Sequence, residues 1–132
     1  MFCGIVAGKI PAQKIAENEE FVAFLGIFPR FPGMTVVVTK RHTQDSYVYR
    51  SLSEDELAKF HLFARKVALA IDRALGSYRC IQVMEGFDIK DHAHLKLFPV
   101  YEGKMYDCSY EGDEKMSEEE LKSVAEKIRK VV

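Results

Sequence analysis

Two histidines and a lysine stand at alternate positions in the segment Asp91-His92-Ala93-His94-Leu95-Lys96-Leu97-Phe98-Pro99. In an extended strand alternate side chains share a face. Ala93, Leu95 and Leu97 would then enter a core, while His92, His94 and Lys96 form a row on the other side. Neighbours in that row stand roughly 6–7 Å apart, from a rise of about 3.3 Å per residue. A neutral imidazole is a competent nucleophile near neutral pH and can carry a phosphoryl group covalently. An ammonium beside it favours the neutral ring and attracts an anion. The row fits a site for a phosphorylated substrate. The spacing alone fits equally a pair of solvent-facing histidines on an edge strand, because H-x-H is a short pattern.

The elements that would position this row can be read from the rest of the chain. Lys14–Ala16 and Phe21–Leu25 flank the polar cluster Glu17-Asn18-Glu19-Glu20, which predicts a hairpin. Ile27–Gly33 holds two prolines and a glycine and reads as a shaped loop. Met34–Thr39 is β-branched and apolar on both faces, as a buried strand should be, and it ends at the basic turn Lys40-Arg41-His42. Ser53-Glu54-Asp55-Glu56 is a capping box, and the helix it opens, 54–75, stops at Gly76. Strands are predicted over Arg79–Met84 and His92–Val100. A second capped helix follows at 117–131, carrying Leu121, Val124, Ala125, Ile128 and Val131 as its apolar stripe. Strands, one long helix, more strands and a terminal helix make an α+β domain on an antiparallel sheet.

The chain has 132 residues, 48% of them hydrophobic and 30% charged, which suits one domain spanning 1–132 with its own core. A net charge of −1 gives no basic field for nucleic acid. The apolar runs are too short to span a bilayer, and the N-terminus lacks the apolar run of a signal peptide. Cys3, Cys80 and Cys108 are odd in number and widely spaced, so no disulfide framework is expected, and the expected location is the reducing cytoplasm. Residues 102–120 run acidic and read as a solvated stretch entering the last helix. Within it and before it, Tyr101, Tyr106 and Tyr110 could line a site edge or a dimer surface.

The segment around His94 resembles the signature of the histidine triad (HIT) family, H-φ-H-φ-H-φ-φ with φ apolar. Phe2-Cys3-Gly4-Ile5-Val6-Ala7-Gly8-Lys9-Ile10-Pro11-Ala12 is similar to the family's F-C-K-I-x-x-G-E-I-P-A opening. Phe24–Gly33 is similar to its F-x-D-I-x-P-x-x-P-G segment, and Val36–His42 to its L-V-I-P-K-x-H. The resemblance covers about residues 2–100. It implies a HIT-like fold of about five antiparallel strands with a long central helix and a C-terminal helix, paired into a homodimer. It implies purine nucleotide substrates, such as phosphoramidates or dinucleoside polyphosphates, attacked at the α-phosphate. The nucleophile would be His94, with His92 and Lys96 beside it, and Phe2, Ile5, Phe24 and Ile27 would line the base pocket or simply pack the core.

Departures from the family pattern are specific. Lys96 stands where the third histidine would be, and Gly26 where an aspartate commonly holds the ribose hydroxyls. Met84–Asp91 replaces the usual N-x-G…A-G-Q lead-in. These losses open a second reading, a nucleotide-binding protein without turnover. No cofactor is required by the chemistry. Some relatives hold structural zinc, and Cys3, His42 and His92 fall at three of those ligand positions. The fourth ligand, a further cysteine, would precede Met1, which counts against zinc, since structural sites want four protein ligands.

Overall fold

The computed structural model describes residues 1–103, 112 and 114–132. The acidic stretch around Tyr106, Cys108 and Tyr110 lies outside the described residues. Five strands, β1 (Lys14–Glu17), β2 (Phe21–Leu25), β3 (Thr35–Thr39), β4 (Arg79–Val83) and β5 (His94–Val100), form one antiparallel sheet in the order β1-β2-β3-β5-β4. β5 lies between β3 and β4, so the signature strand is internal and the edge-strand alternative is excluded. Among the described residues no helix is long and apolar enough to cross a membrane.

The long helix α3 (Glu54–Leu75) starts at the predicted capping box. Ser53 accepts from the Glu56 amide, and the Glu56 carboxylate accepts from the Ser53 amide, both at 3.2 Å. It ends where Gly76 takes φ 72°, a left-handed turn that costs a glycine little. α4 (Glu118–Arg129) is capped by Ser117. Both helices cover one sheet face, where Phe60, Val67, Ile71, Leu121 and Ile128 meet Phe21, Val37, Leu95 and Leu97.

The other face is covered by a helix the sequence did not announce, α1 (Phe2–Val6), which packs Phe2 and Ile5 on Phe24, Val36, Val38 and Phe98. One turn with apolar residues at i and i+3 is too short to show a period, so the sequence predicts no element before Lys14. The same applies to α2 (Val48–Ser51).

Period two holds along β5. Leu95 and Leu97 enter the α3 side, while His94, Lys96 and Phe98 share the α1 side. The strand begins at His94 rather than His92, because the Ala93 amide donates to the Thr43 hydroxyl at 2.7 Å instead of joining the ladder.

Candidate active site

α1 and the start of β5 together build two adjacent groups of side chains. In the first, the Phe2 ring lies edge-on to the His94 ring with centroids 5.0 Å apart. His94 is only 3% exposed. Its Nδ1 lies 2.8 Å from the main-chain carbonyl of His92. A carbonyl can only accept, so Nδ1 carries the proton and Nε2 of the neutral ring keeps its lone pair. Burial holds the His94 pKa below the ordinary imidazole value, and the charge of Lys96 adds to the effect.

Lys96 is not a bare cation. Its Nζ lies 2.8 Å from Oε1 of Glu85, with both side chains largely covered. Glu85 is fixed from a second side, since its Oε2 accepts from the Phe87 amide at 2.9 Å. Burial raises the Glu85 pKa, but the Lys96 and Phe87 hydrogen bonds outweigh it and hold the carboxyl below its usual value. The sequence offered no signal for Glu85. It lies in the Met84–Asp91 segment, whose pattern was legible only as a departure.

His94, Lys96 and Glu85 stand on the wall of a cavity of about 330 Å³. Phe2, Ile5, Phe24 and Ile27 all line it, so the four expected base-pocket residues come together. Phe2, Ile5 and Phe24 are also core residues, whereas Ile27 is 42% exposed at the rim. Gly26 belongs to the same wall, and a Cβ there would lie 2.1 Å from Cε of Met34, which is 1% exposed. A methionine thus fills the space that any side chain at position 26 would need.

The second group contains His92, whose side chain does not line this cavity. Its Nε2 donates to the Thr39 carbonyl at 2.6 Å, which leaves Nδ1 as the acceptor. Nδ1 faces the Cys3 sulfur at 3.5 Å, and Nδ1 of His42 lies 3.2 Å from the same sulfur. Ligand atoms of Cys3, His42 and His92 all fall within 4.8 Å of one another. The expected row of three is therefore split. His94 and Lys96 face the cavity, and His92 turns its ring to Cys3 while giving its carbonyl to His94. Tyr101 donates to the Pro32 carbonyl at 2.9 Å, and its ring stands 6.0 Å from that of Phe31.

A profile of the HIT domain matches residues 7–103. An uncharacterised HIT-like protein of Mycoplasma genitalium is 34% identical over 125 residues, covering 91% of this chain and 86% of that protein. The adenosine 5'-monophosphoramidase of Schizosaccharomyces pombe is 32% identical over 101 residues, 75% of this chain and 72% of that one. In fold, the crystal structure of a hypothetical histidine triad nucleotide-binding protein from Sulfolobus tokodaii matches with a TM-score of 0.84 at 24% identity. That match covers 98% of this chain and 89% of the other. With the five-stranded sheet, the placement of His94 on its internal strand and these matches in agreement, the chain belongs to the HIT domain family.

Proposed function

We propose that this protein is a nucleotide hydrolase or nucleotidyl transferase acting at an α-phosphate through a covalent nucleotidyl-His94 intermediate. One observation carries the reading: the buried His94 ring is locked by the His92 carbonyl with its proton on Nδ1, on the wall of an apolar cavity. The phosphoramidase activity named for the fission-yeast relative supports it.

In the proposed step Nε2 of His94 forms a bond to phosphorus, and the bond to the leaving group breaks. The leaving group departs with the electron pair and takes a proton from solvent. Water, or another acceptor in a transferase, then attacks phosphorus and gives up a proton, while the P–Nε2 bond breaks with its electron pair returning to nitrogen and restores the neutral ring. Phe2, Ile5, Phe24 and Ile27 take the purine. Lys96 and nearby backbone amides hold phosphate oxygens, with Glu85 tempering the lysine's charge. A panel of nucleoside phosphoramidates, dinucleoside polyphosphates and nucleotidyl sugars tests this, run with the wild type and His94→Ala. Turnover by the wild type and binding without turnover by the variant are expected. A wild type that binds nucleotide and turns over none would instead support the binding-protein reading, which the Lys96–Glu85 pair and the closed wall at Gly26 favour.

This chemistry needs no metal. The Cys3, His42 and His92 cluster is a thiolate-and-imidazole set of the kind zinc takes, and the Nε2–H bond from His92 to Thr39 orients the ring as outer-shell bonds do. These three residues would hold the ion, one short of the four protein ligands a structural site takes, and its contribution would be to tie α1 to the segments that follow β3 and precede β5. Zinc titration should raise the melting temperature of the wild type and not of Cys3→Ser. No rise in the wild type rejects the site.

A homodimer is proposed from the open outer edge of β4 and from Leu62 and Leu69, seven residues apart on α3 and 55% and 49% exposed. Light scattering should report about 30 kDa, twice the 15.1 kDa chain. A monomer at micromolar concentration rejects it. The free thiols of Cys3 and Cys80 suit a cytoplasmic location.

A further inference from the structure

We propose that the polar cleft beyond Glu85 is the leaving-group subsite, and that it selects leaving groups bearing a negative charge. This rests on the reading of His94 given above. The cleft, about 580 Å³, is lined by Ser46, Tyr47, Arg50 and Lys90, with Glu85 as the residue it shares with the apolar cavity. Its floor is tied directly to the nucleophile's strand. The Ser46 carbonyl accepts from the His94 amide at 3.3 Å, and the Ser46 amide donates to the Lys90 carbonyl at 2.9 Å.

In phosphoryl-type displacement the attacking and leaving atoms lie roughly in line. A phosphorus over His94 therefore releases its leaving group on the side opposite Nε2, while the nucleoside stays in the apolar cavity on an oxygen that is not in that line. The polar cleft adjoins the apolar cavity at Glu85, which lines both, and offers the leaving group a described space next to the nucleophile.

The charges of the cleft name the class of leaving group. Arg50 is paired with Asp45 and lies over the Tyr47 ring, 4.6 Å from its centroid. Glu85 is paired with Lys96. The Lys90 ammonium has no ion pair or hydrogen bond among the described residues, so among the charged side chains lining the cleft it is the one left without a partner. A carboxylate or phosphate on the leaving group meets that charge, and a neutral alkyl group of the same length does not.

A matched pair of adenosine 5'-phosphoramidates tests this, one made with propylamine and one with β-alanine, which puts a carboxylate where the first has a methyl. The wild type should favour the β-alanine compound in kcat/KM by about fivefold, the size a solvent-exposed ion pair supports, with the difference in KM. Lys90→Glu should abolish or invert the preference. Lys66→Glu, the same charge change on α3 outside the cleft, should keep it. A wild-type ratio within twofold of one, or a preference that survives Lys90→Glu, overturns the subsite while leaving the His94 reading intact. No turnover of either compound by a wild type that binds nucleotide overturns both.

Discussion

His94 and His92 are joined by one hydrogen bond, from Nδ1 of the first to the main-chain carbonyl of the second at 2.8 Å, while the His92 ring itself turns toward Cys3. The backbone of His92 thus serves the cavity and its side chain serves the neighbouring cluster. Replacing the His92 side chain should leave the orienting bond in place. His92→Ala should lower stability by about 1–3 kcal/mol, the cost of leaving the Thr39 carbonyl unpaired in the interior. At a temperature where it is folded, it should retain turnover within about tenfold, far above the loss a missing nucleophile causes. Steady-state rates beside a denaturant melt check this, and a loss as deep as that of His94→Ala would show that the His92 ring acts in the chemistry.

Burial lowers the His94 pKa from the ordinary value of 6.5, and the proposed attack on phosphorus requires the neutral ring. The acid limb of kcat/KM should therefore have its midpoint below pH 6.5. Lys96 disfavours the imidazolium and Glu85 favours it. Lys96→Ala should thus move the limb to higher pH, and Glu85→Gln to lower pH. The lowered pKa values of His92 and His94 also fix the sign for stability. As pH falls below the unfolded imidazole value, the unfolded chain binds protons that the buried rings refuse, so stability declines toward acid. pH–rate profiles of the three proteins and melts from pH 7 to 5 read both effects.

Gly26→Ala would place a methyl group 2.1 Å from Cε of Met34. Met34 is buried, so the substitution should destabilise the protein by about 1–3 kcal/mol, as overpacking does. In a Met34→Ala background the same substitution should cost markedly less, because the space is then free. A double-mutant cycle by denaturant melts measures the coupling. Additive effects would mean that Met34 moves aside at no cost.

Much of the frame was legible in the residues themselves. The Ser53 capping box and Gly76 gave both ends of α3, and the alternation of Leu95 and Leu97 with His94 and Lys96 gave the two faces of β5. Local signals of this kind need no partner to be read. The split of the histidine row was not legible, because it depends on a hydroxyl 50 residues away, on Thr43, that captures the Ala93 amide and delays the strand. Nor was α1, a single turn whose apolar face is defined only by the sheet beneath it. Glu85 escaped for a third reason. A lone carboxylate in a loop carries no periodicity, and its meaning lies in a contact with Lys96 across 11 positions.

The central claim is a covalent bond between His94 and the nucleotide. Rapid quench of the wild type with an α-phosphate-labelled adenosine phosphoramidate, followed by mass analysis, tests it most directly. The account predicts an acid-labile nucleotidyl adduct that maps to His94, forms within one turnover, and is absent from His94→Ala. Turnover by the wild type with no trapped adduct, or an adduct that persists in His94→Ala, would contradict it.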